Sequence, residues 1–279
     1  MNVKTIQVKD YLTKSNLPAS DYVINPYVGC PHGCKYCYAC FMKRFQKHEE
    51  PWGEFIDIKY CDKPINLDKI KGKSVFLSSV TDCYNPYEET YRITRSILEQ
   101  LIHVDCKLSI STKSNLILRD LDLLKQCPDL KVSMSINTLD ESFRSDMDHA
   151  STIQERLDTL KQLHTAGIDT VLFISPIFPG ITDAKAIMEA TSSFVDEYWI
   201  ENLNLRGSYK QVILSYIKEH NPQLYDLYHE IYHKGNKAYW QQLSEDMDHY
   251  CRDHSIKCTN YLYHEELVKQ KKEHGTVPF

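Results

Sequence analysis

Cys30-Pro31-His32-Gly33-Cys34-Lys35-Tyr36-Cys37 is the stretch that most constrains this chain. Pro31 and Gly33 favour a turn among the three cysteines, and a turn can aim three thiolates at one point. Three thiolates are one short of a closed tetrahedral zinc site or a fully ligated cubane cluster. A cube of four irons held by three cysteines leaves one iron open to an outside ligand, which suits a cluster that works on a bound molecule. Cys40 follows Cys37 at a CxxC spacing. Spacing alone therefore also allows a four-thiolate zinc or electron-transfer site.

Composition narrows the compartment more than the chemistry. With 279 residues, 42% of them hydrophobic and 25% charged, the chain has room for one large domain or a domain plus an extension. Lys and Arg total 33 against 38 Asp and Glu, a formal net charge of −5. That excludes a global basic footprint for nucleic acid but not a local groove. The first twenty residues carry no signal-peptide pattern, and no apolar run approaches the ~20 residues that span a bilayer. A cytoplasmic protein with no membrane partner is expected, its ten cysteines serving metal or redox chemistry rather than disulfides.

Hydrophobic periodicity predicts alternating strands and helices. Residues 1–19 read as a polar arm. Strands are expected at 22–25, 74–80, 107–112, 132–137, 170–174 and 199–205. Between them helices are expected at 85–101, 116–125, 153–166 (closed by Gly167) and from an Asp183 N-cap to about 196. Residues 49–73, broken by Pro51, Gly53, Pro64 and Gly72, read as loop. Six strands with helical crossovers predict an α/β fold, a partial (β/α)6 TIM-like barrel over residues 20–210. From 211 to 279 the pattern changes to helices at 211–218, 223–233 and 239–253 with a terminal strand at 257–263, a helical extension packed on the barrel.

The run from Asn25 to Ala39, with CxxxCxxC and Tyr36 before the last cysteine, resembles the radical S-adenosylmethionine (SAM) superfamily, in particular its spore photoproduct lyase-like branch. The resemblance implies the same partial barrel, a 4Fe–4S cluster on Cys30, Cys34 and Cys37, and SAM on the open iron. It implies reductive cleavage of SAM to methionine and a 5′-deoxyadenosyl radical that takes hydrogen from a substrate. It implies an electron donor such as flavodoxin or ferredoxin. The substrate stays open among a nucleic-acid lesion, a peptide and a small molecule.

In parallel α/β barrels ligands bind at the carboxyl ends of the strands, so polar residues there are the candidates. By resemblance Tyr36 packs against adenine, Asp82 meets the SAM amino group and Lys113 its carboxylate. Ser135 and Asn137, two apart on one strand, face the same side and could bond the ribose or the methionine carboxylate. Pro176 to Asp183 matches the family's Pro-x-x-Pro-Gly-x-x-Asp loop. Polar groups of the sixth strand, Glu201, Asn202 and Asn204, with Arg206 beyond, would meet substrate. One departure stands out: where the lyase carries a hydrogen-donating cysteine, this chain has Val80. Cys83 is the candidate replacement donor, with Tyr84 or Tyr87 as relay. Lys43, Arg44 and Lys47 form a short basic stripe beside the cysteine loop. The reading of a different class is a non-catalytic binding protein stabilised by zinc or an iron–sulfur cluster, with Cys40 as fourth ligand.

Overall fold

A computed structural model describes residues 1–17 and 20–262, the Gln46 side chain excepted. Its first third holds β1 (Asn2–Gln7), β2 (Leu12–Lys14), β3 (Tyr22–Ile24), β4 (Tyr27–Val28), α1 (Lys43–Gln46), β5 (Phe55–Tyr60), β6 (Ser74–Leu77), α2 (Glu88–Tyr91) and α3 (Ile93–Leu101). The middle continues with β7 (Lys107–Thr112), α4 (Leu121–Leu124), β8 (Asp129–Ser135), α5 (Glu141–Met147), α6 (Ile153–Thr165), β9 (Asp169–Ile177), α7 (Ala184–Thr191) and β10 (Glu197–Asn202). Three helices, α8 (Gly207–His220), α9 (Tyr225–Tyr232) and α10 (Ala238–Asp253), lead to β11 (Cys258–Asn260).

The main sheet runs β11-β10-β9-β8-β7-β6-β3-β2. Every neighbouring pair in it is parallel except β2 with β3. All six expected barrel strands are present in sequential order, and the sheet stays open between its β2 and β11 edges. Their apolar residues, such as Leu77, Ile110, Val132, Met134 and Ile174, are buried in one large core with the crossover helices. Helix α6 starts on a capping box, Thr152 with Glu155, and ends at Gly167 with φ +79°. That start and stop are the ones its sequence signals.

Five expectations are corrected, the first two by tertiary pairing. The polar stretch 1–19 contains β1 and β2; β1 runs parallel to β5 over six residue pairs, although its own sequence buries little. The supposed loop 49–73 contains β5, whose Phe55, Ile56 and Ile58 are buried. Together β1, β5 and β4 form a second, three-stranded sheet. The helix expected over 85–101 is split by Arg92 in left-handed conformation (φ 51°), and that expected over 116–125 begins as a 3-10 turn, Asn115–Asp120. Asp183 caps α7, which stops at Thr191. Of the expected terminal strand and extension, residues 263–279 lie outside the described residues.

Helices α8 and α9 contribute Ile213, Leu214, Ile217 and Tyr228 to a second core with Tyr36, Phe143, Phe178 and Leu205. This cluster closes over the end of the barrel where the cysteine loop lies. No helix among the described residues is long and apolar enough to cross a membrane.

Glu197 at the start of β10 ties three strands together. It accepts from Lys131 of β8 (2.6 Å), from Thr259 of β11 (3.0 Å) and from Trp199 (2.9 Å), and Lys257 is 3.1 Å away. Burial opposes its ionisation, but these donors hold its carboxyl down at about 2. A carboxylate whose folded pKa is depressed contributes stability that is full above its unfolded pKa and lost as pH falls through the folded one. Stability is therefore expected to drop from about pH 5 toward pH 2, and Glu197→Gln to flatten that limb in urea unfolding across pH. A variant with the wild-type acid limb would show that Glu197 does not carry it.

Candidate functional site: a three-cysteine loop at the strand ends

The cysteine loop is built by short backbone pairings. β3 and β4 are separated only by Asn25 and Pro26. Asn25 joins the ends of β3 and β6, donating to Ser79 Oγ (2.8 Å) and accepting from Val80 N–H (3.0 Å). Gly29 takes φ +85°, and a Cβ there would lie 2.3 Å from the Phe55 carbonyl oxygen, so β5 passes too close for any side chain. Thr81 donates to the Gly29 carbonyl (2.7 Å). Beyond, Lys35 N–H bonds the Met147 carbonyl (2.9 Å) and His149 N–H the His32 carbonyl (2.8 Å). The loop is thus clamped between the second sheet and the end of α5.

Cys30, Cys34 and Cys37 are free thiols. Burial pushes the Cys30 thiol well up, with Asp82, Cys34 and Cys37 adding to the rise. Burial also pushes Cys34 up to about 12, opposed by Lys113. Each thiol lies within electrostatic reach of the others, and Lys113 favours the anionic form of Cys34 and Cys37. Yet no three Cys, His, Asp or Glu side chains among the described residues are arranged to hold a single metal ion. Around one zinc the sulfurs would stand about 3.8 Å apart, from a Zn–S bond of about 2.3 Å. A cube spreads its cysteines over separate corners. Two of the buried side-chain atoms without a hydrogen-bond partner, His32 Nδ1 and Trp52 Nε1, belong to this loop and the segment against it. Buried orphans cost about 1–3 kcal/mol each, and an anionic, sulfur-rich group would give the Trp52 indole N–H a partner. The residues fit a cluster held by three cysteines. The Cys40 thiol instead interacts with Ser208 and Arg44.

Tyr36 and Lys113 are brought together: the Lys113 ammonium lies 5.9 Å from the Tyr36 ring centroid. The ring stands edge-on to Phe178 (5.6 Å) of the Pro176–Asp183 loop. Its hydroxyl donates to Asp148 (3.1 Å). Asn137 donates to the Pro176 carbonyl (3.2 Å), and its own carbonyl accepts from Thr182 (2.8 Å), which fastens that loop to the end of β8. Ser135 lies buried two residues before, its carbonyl accepting from Arg156 (3.1 Å). On the sixth strand Glu201 accepts from Ser175 (2.8 Å).

Two candidates are placed otherwise than expected. Asp82 is buried and its carboxylate already accepts four bonds. Tyr84 N–H (2.9 Å) and Thr112 (2.8 Å) meet Oδ1; Lys113 N–H (2.8 Å) and His32 Nε2 (3.1 Å) meet Oδ2. Burial opposes ionisation, yet His32 and these donors hold it at about 2. A carboxylate offers about four lone-pair sites, so Asp82 fixes Lys113 and the cysteine loop rather than reaching outward. Cys83 is 0% exposed, packed in the main core beside Tyr84, and its thiol is pushed well up by burial. A thiol enclosed by core side chains cannot hand hydrogen to a substrate. Tyr84 is equally buried and Tyr87 packs against Tyr27 and Ile58.

Sequence reasoning missed Asp148 and Arg156. They form a buried ion pair of 2.5 Å, each side chain 1% exposed, and Arg156 also donates to the Ser151 carbonyl (2.8 Å). Burial raises the Asp148 carboxyl, but Arg156 and Lys113 bring it below its usual range. A signal existed: Ile153, Arg156, Leu160 and Leu163 share the buried stripe of α6, and an arginine on an apolar stripe needs a buried partner.

An open parallel barrel with three cysteines and a lysine at its strand ends defines a class of proteins that hold an iron–sulfur cluster against a second cofactor. The chain belongs to the radical SAM superfamily, whose pattern matches residues 24–190. That family uses a 4Fe–4S cluster and SAM. An uncharacterised protein of Methanocaldococcus jannaschii is 37% identical over 224 residues, covering 80% of this chain and 85% of the relative. A radical SAM Nα-GlyT isomerase of Pseudomonas phage M6 is 26% identical over 160 residues, 56% of this chain and 33% of that protein. Among solved structures, spore photoproduct lyase complexed with dinucleoside spore photoproduct superimposes with TM-score 0.54 at 16% identity, over 79% of this chain and 66% of the lyase. Streptococcus suis SuiB bound to SAM gives 0.53 at 13% identity, over 88% and 51%. At these identities the structural likeness shows the fold.

Proposed function

We propose that this chain is an enzyme that reductively cleaves SAM and directs the resulting radical at a substrate bound at the same barrel mouth. When bound, the cluster and SAM supply the electron and the 5′-deoxyadenosyl radical; the rest falls to the chain's own residues. Cys30, Cys34 and Cys37 hold the cluster. Lys113, oriented through its backbone by Asp82, offers a compact positive charge to the SAM carboxylate. Tyr36, held by Phe178 and Asp148, gives adenine a flat apolar face. Ser135 and Asn137 remain the candidates for the ribose and methionine polar groups. An electron donor of the flavodoxin or ferredoxin kind would act in a cytoplasmic setting, and the described part of the C-terminal extension, residues 211–262, would pack on the barrel.

The observation that carries this reading is the convergence of three free thiols and one lysine at the strand ends. The substrate is a nucleic-acid lesion, a peptide or a small molecule. Val80 and the enclosed Cys83 offer no thiol at the β6 end, which disfavours the repair chemistry suggested by the lyase likeness.

Anaerobic reconstitution followed by dithionite and SAM tests the proposal. The expected outcome is 5′-deoxyadenosine more than about a hundredfold above the Cys34→Ala protein. A filled cluster whose EPR spectrum ignores SAM, with no 5′-deoxyadenosine formed, would overturn it.

A further inference from the structure

Residues 38–47 follow directly on Cys37. They carry three cations, Lys43, Arg44 and Lys47, and three aromatic rings, Tyr38, Phe41 and Phe45, with no acid among them. The stretch is a 3-10 turn, Tyr38–Met42, that runs into α1. It is fixed at both ends. Cys40 N–H bonds the Cys37 carbonyl (3.4 Å), and the Tyr38 hydroxyl donates to the Ser79 carbonyl just past β6. At the far end His48 is buried, stacked on Phe55 of β5 (3.8 Å) and held by Asp57 (3.0 Å).

No core claims what the stretch presents outward. Phe45 is 68% exposed, more than any other large apolar side chain among the described residues; Tyr38 is 57% and Phe41 37% exposed. None of the three rings belongs to an apolar cluster of the fold. Phe41 and Phe45 meet edge-on (6.5 Å, 89°). Lys43 donates to the Glu49 carbonyl (2.7 Å) and Arg44 to the Phe41 carbonyl (3.4 Å). Among the described residues, no carboxylate pairs with Lys43, Arg44 or Lys47. Exposed aromatic rings rimmed by unpaired charge mark an interaction surface.

We propose that this surface docks an acidic one-electron carrier protein that reduces the cluster. This rests on the proposed SAM cleavage, which draws an electron from outside the chain. The surface is cationic on a chain of net charge −5, so it selects an anionic partner rather than a second copy. It is continuous with a cluster ligand: at about 2.0 Å of rise per 3-10 residue, the Phe41 Cα stands about 8 Å from the Cys37 Cα. Its far end rests on the second sheet, so a docked carrier leaves the barrel mouth to SAM and substrate. Its size fits a brief encounter. Aromatic side chains bury about 150–250 Å² each, so the three rings offer about 300 Å². A stable complex takes about 800 Å² per partner, whereas redox encounters stay below about 1,200 Å² in total. Single-stranded nucleic acid is the other anionic occupant, but it needs a groove in which ring faces stack successive bases. Here two rings cross edge-on over one short helix. In the transfer the carrier's flavin or iron–sulfur centre is oxidised by one electron and the cluster is reduced by that electron; no bond forms or breaks.

The test compares wild type, Arg44→Glu with Lys47→Glu, and Phe45→Ser, all changes at exposed positions. Reduction of the reconstituted protein is followed by EPR, first with dithionite, then with a reduced flavodoxin and a reduced two-cluster ferredoxin, both acidic. Binding of each oxidised carrier is measured by calorimetry. Dithionite is expected to reduce all three proteins alike. Reduction by the carrier that serves wild type is expected to slow about tenfold in both variants, its binding weakening by a similar factor. In wild type, rising salt should slow the carrier but not dithionite. Wild type that dithionite reduces and neither carrier does overturns the inference and leaves SAM cleavage standing. Variants that a carrier reduces and binds as it does wild type overturn it too. If wild type also binds a single-stranded DNA oligonucleotide that Arg44→Glu with Lys47→Glu releases, the surface is then a nucleic-acid site. A filled cluster whose EPR spectrum ignores SAM removes the proposed function and the inference with it.

Discussion

Alanine at Cys30, Cys34 or Cys37, one at a time, is expected to bring iron from about four atoms per reconstituted chain to below about one, with SAM cleavage falling more than about a hundredfold. The magnitude follows from how few ligands there are. A three-cysteine cube has no spare thiolate, and burial disfavours these sulfurs as free anions, so the thiolate form depends on bound metal. Cys40→Ala is the control in the same experiment. Its thiol interacts with Ser208 and Arg44, so the cluster, its EPR spectrum and 5′-deoxyadenosine formation should stay within about twofold of wild type. If Cys40→Ala loses iron as completely as Cys34→Ala, the centre has four protein thiolates, no iron is open, and the proposed function falls.

Arg156→Met is expected to destabilise the fold by about 3–5 kcal/mol, read as a lower midpoint in urea unfolding. Removing the guanidinium strands the Asp148 carboxylate, which is 1% exposed, and frees the Ser135 and Ser151 carbonyls. Arg144 stands 3.7 Å from the same carboxylate and donates to the Asp148 carbonyl, so part of the charge stays compensated. Adding Asp148→Asn to Arg156→Met should cost less than the sum of the two single changes, since no unpaired charge remains. The pair also anchors the Tyr36 hydroxyl, so the stability loss should be joined by weaker SAM binding. Strict additivity of the two substitutions would show that they do not act as a pair.

These two predictions differ in where their evidence was legible. The cysteines announce themselves because their chemistry needs a short spacing in one turn, and a turn is local. Arg156 was readable in principle, from a charge on the apolar stripe of α6, but its partner lies beyond the helix and in no pattern. Asp82 shows the opposite case: its position at the end of β6 was legible, while its role was not. A carboxylate at a strand end can face outward or inward, and only the four donors around it settle which. Cys83 fails for the same reason. Only Thr81 and Asp82 separate it from Val80, yet the turn after β6 carries it into the core rather than the mouth.

What the sequence by itself determined was the set of local and periodic features. They include the cysteine turn, the six buried strand runs, the capping signals of α6 and α7, and hence an open parallel barrel with its chemistry at the strand ends. Tertiary structure alone decided the rest. β1 exists as a strand because β5 completes its backbone hydrogen bonds, and β5, although Ile56-Asp57-Ile58-Lys59-Tyr60 alternates, sits among turn residues and is held by β1 and β4 on its two sides. Their sheet presses Phe55 and Gly53 onto the cysteine loop. Which polar side chains reach the mouth and which are spent as internal ties is likewise decided by burial. A buried donor or acceptor must find its partner from distant parts of the chain, and no local pattern records that choice.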